Sequence, residues 1–242
     1  MLEGLYSAAA GMAAQQTQLD AVSNDLANLN TDGYKSERVA FGDLLYNKVD
    51  AAGTETAAGA GAAARIMGRS STQGALKETG VPLDFAIEGE GFFEVTRPDG
   101  STALTRNGAF SVDASGEIVD GQGNRLNPPI KLPPGVSEGA LRVAPDGTVT
   151  AEGKKLGRIG LVTVGSPDHL IAEGGGLLVP GKESGEPRPA GGRILQGALE
   201  DSNVDIGKDM TTLMTAERAF QMQSTAIQTE SQMMAIANQL RP

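Results

Sequence analysis

Apolar positions recur every seven residues at both ends of the chain. Near the start, Leu5, Met12, Leu19 and Leu26 form one row, and Ala8, Gln15, Val22 and Leu29 form a second, three residues on. Two such rows lie side by side on one helix face, so the spacing predicts a helix over 2–29. Gly4 and Gly11 weaken it. Asn30-Thr31-Asp32-Gly33 then supplies turn chemistry, with Gly33 suited to a left-handed position after the helix. Near the end, Ile206, Leu213, Phe220, Ile227 and Met234 repeat the spacing. Ala219, Ala226, Met233 and Leu240 widen that stripe on one side, Ala216 and Ala237 on the other. No Pro or Gly interrupts 208–240, and Asp201, Ser202 and Asn203 are candidate N-caps.

The pattern changes between the helices. From about Gly68 to Arg193 short β-branched or apolar runs alternate with glycine turns. The runs include Phe85–Ile87, Phe92–Thr96, Ala109–Val112, Ile159–Val164 and Leu177–Val179. Turns fall at Pro98-Asp99-Gly100, Ser115-Gly116, Pro145-Asp146-Gly147 and Glu152-Gly153. Short strands with regular turns predict an all-β domain. Residues 51–64 form an Ala/Gly tract whose composition alone reads as a flexible linker. The expected fold class is therefore α+β, with terminal helices paired as a coiled coil around an inserted all-β domain. The expected divisions are 1–46, an extended stretch 47–68, a β-rich domain 69–194 and a closing helical segment 195–242. The pairing rows are Leu5, Met12, Leu19, Val22, Leu26 and Leu29 against Ile206, Leu213, Phe220, Ile227 and Met234.

Charge sharpens this picture. Residues 2–34 hold only Glu3, Asp20, Asp25 and Asp32, and residues 210–240 only Glu217, Arg218 and Glu230. A solvated helix normally carries more charge, whereas a helix packed on several sides does not. The 242-residue chain has a net charge of −10, which repels phosphate backbones and argues against nucleic acid as a partner. It has no Cys and one His, which removes disulfides, thiolate metal sites and multi-histidine sites. Six Phe and three Tyr do not furnish an aromatic-rich core. No run approaches the roughly 18 apolar residues of a membrane span. The first basic residue is Lys35, so the start lacks the basic region of a secretory signal. On composition alone that describes a soluble cytoplasmic protein.

Candidate chemistry is thin. Ser166-Pro167-Asp168-His169 holds triad residue types without the Gly-x-Ser-x-Gly elbow. Glu88 and Glu90 straddle Gly89 as paired carboxylates beside a turn, where solvation is the common role. Gly89-Glu90-Gly91 departs from the dinucleotide pattern at Glu94. Asp113-Ala114-Ser115-Gly116-Glu117 lacks the full ligand set of a calcium loop. We expect no catalytic residue, no metal, no cofactor and no small-molecule substrate.

Four stretches resemble the bacterial flagellar rod and hook family of axial proteins. They are Leu5-Tyr6-Ser7-Ala8-Ala9-Ala10-Gly11-Met12 with Gln15-Gln16; Ser23-Asn24-Asp25-Leu26-Ala27-Asn28-Leu29-Asn30-Thr31-Asp32-Gly33-Tyr34-Lys35; Asp84–Phe93 with Leu104–Phe110; and Gln196–Val204. The second is similar to the signature ANNLANxxTxGxK, departing from it at Ser23 and Asp25; Leu104 stands where the family often has Tyr. The resemblance implies a structural protein, exported unfolded through the flagellar export apparatus without a cleaved signal and polymerising helically in the periplasm. It implies terminal helices forming an inner tube beneath an outer β layer. Implied partners are further copies, neighbouring rod and hook proteins, the export apparatus and the bushing rings around the rod. On that view Gln15, Asn24, Asn28, Gln221, Gln228 and Gln232 meet neighbouring subunits or the lumen. The chain is too large for short rod proteins and too short for most hook proteins, leaving two rod types with a β domain of this size.

Overall fold

The computed structural model describes residues 2–44, 47–51, 54–59 and 61–239. Leu240, the last position of the closing stripe, lies outside them, as do residues 52, 53 and 60 of the Ala/Gly tract. The chain divides into two compact units. One comprises Met1–Ala27, Glu37–Met67 and Asp205–Pro242; the other comprises Asn28–Ser36 and Gly68–Val204. The architecture is α+β, with a helix towards each end and antiparallel strands between.

The first unit holds α1 (Leu2–Ala27) and α2 (Ile206–Gln239). α1 stops two residues short of the expected end, so Leu29 falls in the turn rather than on the helix. Asn28 makes that turn: its carbonyl accepts the Thr31 N–H at 3.1 Å and its side-chain oxygen accepts the Thr31 hydroxyl at 3.2 Å. The N-cap of α2 is Asp205, not Asp201, Ser202 or Asn203. Its carboxylate accepts the Lys208 N–H at 3.1 Å and its carbonyl accepts the Asp209 N–H at 2.9 Å. Asn203 is drawn away because its side-chain oxygen accepts the Ser36 N–H at 2.8 Å.

The same unit holds β1 (Glu37–Asp43), β2 (Asn47–Ala51), β3 (Thr54–Ala58) and β4 (Ala62–Arg69) up to Met67. β1 pairs with β4, and β2 with β3. Both ladders keep one register: the Leu44 N–H donates to the Gly61 carbonyl at 2.9 Å, and three residues on Asn47 opposes Ala58. The described strands of the Ala/Gly tract are therefore paired, β3 with β2 and the start of β4 with β1, rather than forming a linker. Ladder bonds need only backbone, so small side chains do not prevent them. A lone two-stranded ribbon is nevertheless marginal in water, and Phe41, Ile66 and Met67 on it are exposed.

The second unit contains β5 (Leu76–Glu78), β6 (Phe85–Glu88), β7 (Phe92–Thr96), β8 (Thr102–Thr105), β9 (Phe110–Val112), β10 (Ile118–Asp120), β11 (Arg125–Leu126), β12 (Leu141–Val143), β13 (Thr148–Ala151), β14 (Lys154–Arg158), β15 (Leu161–Thr163), β16 (Ile171–Gly174), β17 (Leu177–Val179), β18 (Arg188–Pro189), β19 (Arg193–Gln196) and β20 (Ala198–Glu200). Its main sheet runs β16-β17-β8-β7-β11-β10-β9, with β15 beside β7 and β18 on β15. β12-β13-β14, β6-β19 and β5-β20 form smaller sheets. β7 alternates between two apolar clusters. Phe93 and Val95 join Phe85, Phe110 and Ile118, whereas Phe92 joins Leu104, Leu170 and Leu178. Few aromatics suffice because three are grouped: Phe110 lies 5.8 Å from Phe85 and 5.5 Å, edge-on, from Phe93.

The hairpin turns reuse one device. Asp99, Asp113 and Asp146 each accept the backbone N–H and the hydroxyl of the residue two positions on, Ser101, Ser115 and Thr148. These hydrogen bonds hold all three carboxyls below the ordinary aspartate range. Their contribution is present above the unfolded pKa of about 3.9 and is lost as pH falls through the lower folded values. Acidification below about pH 4 is therefore expected to weaken the second unit. Replacing all three with Asn should flatten that acid limb, as followed by circular dichroism melting.

Candidate functional site

Two arrangements carry the candidate function, one in each unit. In the first unit α1 and α2 pack antiparallel. A Cβ at Gly4 would lie 3.3 Å from a Glu230 carboxylate oxygen, and one at Gly11 would lie 2.8 Å from the Gln223 amide nitrogen. Seven residues forward on one helix thus matches seven back on the other. Asp25 and Asp209 continue the match; burial first, then the Asp25 charge, raises the Asp209 carboxyl above the ordinary range. Small residues are buried on these helices: Ala14, Ala21, Val22 and Ala216. Glu230 facing Gly4 also brings a negative group to the positive end of the α1 dipole.

The expected rows are mostly half-buried. Val22 is buried, while Leu5, Met12, Leu19 and Leu26 are half-buried, as are Leu213, Phe220, Ile227 and Met234. Ile206 is exposed, and Leu29 is half-buried in the turn. Of the polar positions, Asn24, Gln221, Gln228 and Gln232 are exposed and Gln15 and Asn28 half-buried. Asn24 donates to the Glu37 carboxylate at 3.2 Å, and Asn28 serves its turn. Gln223, which periodicity does not single out, lies in the seam with its side-chain oxygen buried and without a hydrogen-bond partner among the described residues. Along α2 a further set faces outward: Met210, Met214, Met222, Met233 and Ile236 are 43–67% exposed.

In the second unit three of the motif stretches converge on Glu200, which is 1% exposed. One carboxylate oxygen accepts Lys35 Nζ at 2.5 Å and the Gly74 N–H at 2.9 Å; the other accepts Arg106 at 2.9 Å. Lys35 also donates to the Thr72 carbonyl at 2.7 Å, and Arg106 to the Gly89 carbonyl at 2.8 Å. The Glu200 carbonyl accepts the Gly33 N–H at 2.6 Å. Burial lowers the Lys35 ammonium from the ordinary lysine range, an effect its Glu200 partner opposes. The Arg69 guanidinium stacks 5.0 Å above Tyr34 and donates to the Lys35 carbonyl at 2.9 Å. The interlock binds the turn after α1 to the middle and to the approach to α2. Its signal in the sequence is that Lys35, Arg106 and Glu200 each lie in one of the motif stretches.

Asp32 stands beside this interlock. Burial first, then the Asp201 carboxylate, raises its carboxyl above the ordinary range. A raised folded value makes the charged form a liability that grows as pH rises above the unfolded value. Asp32→Asn is therefore expected to raise the melting temperature at pH 7 and to leave it unchanged near pH 3, about a unit below the unfolded value.

The isolated chemical motifs find structural uses. Asp113 is occupied by Ser115 and by the Glu117 N–H at 2.8 Å. Asp168 accepts the Ser71 hydroxyl, and His169 lies 3.4 Å from the exposed Glu183 carboxylate. Glu88 approaches Arg193 at 4.0 Å, and Glu90 is exposed. Among the described residues no group of three or more His, Cys, Asp or Glu could hold a metal ion. No described helix is long and apolar enough to cross a membrane.

Comparison with known proteins accounts for the ends and the middle together. Residues 5–35 match the family described as flagella basal body rod protein, residues 86–151 the flagellar hook protein FlgE/F/G D1 domain, and residues 195–240 the flagellar basal body rod FlgEFG protein C-terminal family. The chain is 36% identical over 263 residues to the flagellar basal-body rod protein FlgG of Borreliella burgdorferi, covering 100% of this chain and 99% of the relative. It is 35% identical to FlgG of Caulobacter vibrioides, covering 99% and 100%. The flagellar basal-body rod protein FlgF of Mesorhizobium japonicum is 31% identical, with 91% and 90% covered. End-to-end similarity at this level, joined to matched motifs that meet at Glu200, makes the chain a member of the flagellar basal-body rod protein family.

Proposed function

We propose that the chain is a structural subunit of the distal part of the flagellar rod, polymerising helically into drive shaft and channel wall. The observation that carries this reading is the outward face of α2. Met210, Met214, Met222, Met233 and Ile236 leave a large apolar surface uncovered on a helix poor in charge. Surfaces of that kind mark contacts. A helical polymer uses different patches of one subunit on successive copies, and a two-helix seam with an outward apolar face provides two. The seven-residue match at Gly4, Gly11 and Asp25 supports reading the helices as a coiled coil. The half-buried Leu and Ile rows then complete their burial in the assembly. Gln221, Gln228 and Gln232 serve as contact or lumen positions, since paired amides are readily buried whereas an unpaired charge is not.

The proposed setting follows from family membership: the periplasmic part of the basal body, reached through the export apparatus without a cleaved signal, among neighbouring rod and hook proteins. Distal rather than proximal placement rests on the extended stretch 47–68 that precedes the β-rich unit. The role is mechanical and non-enzymatic. Met214→Lys with Met222→Glu should leave the monomer's melting within about 0.5 kcal/mol of the parent, as for exposed sites, yet abolish filament growth seen by electron microscopy. Normal filaments from this variant would contradict the reading.

A further inference from the structure

A cavity of about 430 Å³ lies wholly within the second unit, inside the range of about 300–1,000 Å³ typical of small-molecule sites. Phe92, Val164, Leu170 and Leu178 give it an apolar wall. Lys35, Arg69, Arg106 and Arg188 bring cationic side chains to its lining, and Glu90 brings a carboxylate. Glu200 engages both Lys35 and Arg106, yet one carboxylate cannot neutralise two cations that are each 6% exposed. The excess positive charge is held out of water, where a missing counter-charge is costly. Arg106 Nε is also buried with no hydrogen-bond partner among the described residues.

Arg188 and Glu90 are the exposed charges of the lining, and among the described residues neither side chain has an ion-pair or hydrogen-bond partner. Arg188 stands on β18 opposite Thr163 of β15, which also lines the cavity. Gly165 leaves its guanidinium room, since a Cβ there would lie 3.3 Å from Arg188 Nη2. With Glu90 and Glu200 set against four cations, the cavity attracts an anion and repels a cation. A guanidinium fork matches the geometry of a carboxylate, and the apolar wall suits an alkyl or aryl body. We propose that this cavity binds a small organic carboxylate, its apolar body against Phe92, Leu170 and Leu178 and its head at Arg188. The bound anion supplies the counter-charge that the Lys35–Glu200–Arg106 interlock lacks, so occupancy stabilises the second unit by linkage. The proposal is independent of the assembly reading above.

Melting of the dilute full chain in rising concentrations of hexanoate, at constant ionic strength, tests it. A saturable rise in the melting temperature of the β-rich unit is expected. Acetate, which lacks the apolar body, should need a concentration about tenfold higher or more. Hexylammonium, with the same body and the opposite charge, should give no saturable rise. Arg188→Gln should melt like the parent without hexanoate and raise the half-saturating concentration about tenfold or more, through loss of a charge-assisted hydrogen bond. Glu90→Gln should lower that concentration by removing a like charge. No saturable effect of hexanoate on the parent, an equal effect of hexylammonium, or half-saturation unmoved by Arg188→Gln overturns the proposal. So does a half-saturating concentration for Glu90→Gln at or above the parent's. Each of these results leaves the assembly reading intact.

Discussion

Glu200→Ala is expected to cost the β-rich unit about 3–5 kcal/mol, the range for breaking a buried ion pair by removing one partner. Lys35 and Arg106 would remain, each 6% exposed, with their shared counter-charge gone. Gly74 would lose an acceptor as well. Urea unfolding followed by circular dichroism would show the midpoint falling, and acid or salt would not restore it. The triple change Lys35→Met, Arg106→Met and Glu200→Leu separates charge from space. It removes all three ionised groups while keeping the volume, and should recover most of the loss, since apolar replacements of a buried ionic cluster are often neutral. A triple variant as weak as Glu200→Ala would assign the effect to lost hydrogen bonds and packing instead.

Gly33→Ala is the second large effect. Gly33 has φ +71°, and a Cβ there would lie 2.5 Å from the backbone carbon of Arg106 and the nitrogen of Asn107. Left-handed backbone costs a non-glycine residue about 1–2 kcal/mol. Forcing backbone apart at a packed contact adds about 1–3 kcal/mol. Gly33→Asn distinguishes the two causes. Asn tolerates the dihedral but carries the same Cβ, so it should rescue little. Near-parental stability of Gly33→Asn would show that the close approach relaxes freely.

The legible parts of the fold are those fixed by local pattern. Phe92–Thr96 and Leu177–Val179 appear as strands with the expected bounds because each run meets a glycine turn. The heptad spacing overruns the end of α1 by two residues, because Leu29 keeps the apolar period while Asn28 already forms a turn. The cap of α2 is hidden because Asn203 satisfies a long-range partner, Ser36, which spacing does not reveal. The ribbon is illegible for a different reason. Ala51 and Thr54–Ala58 lie in a backbone-paired ladder, and their composition announces neither strand nor register. At the helices Gly4 and Gly11, which read as weaknesses in the sequence, leave room for Glu230 and Gln223 of α2 to approach closely. Small residues permit approach, and a pattern search for apolar bulk passes over them. Glu200 is visible in the sequence only as part of a motif; its role depends on Lys35 and Arg106 being brought to it from 165 and 94 residues away.

In the assembled state the outward face of α2 is expected to be covered by other copies. The absence of Cys makes a direct measurement possible, because one introduced thiol is then the whole signal. Met222→Cys, at a position 67% exposed, would be compared in monomer and filament by its rate of reaction with a maleimide. Glu186→Cys, on an exposed part of the β-rich unit, serves as reference. Fast reaction is expected at both sites in the monomer and, in the filament, protection at Met222→Cys with reactivity kept at Glu186→Cys. Equal reactivity of Met222→Cys in monomer and filament would contradict it.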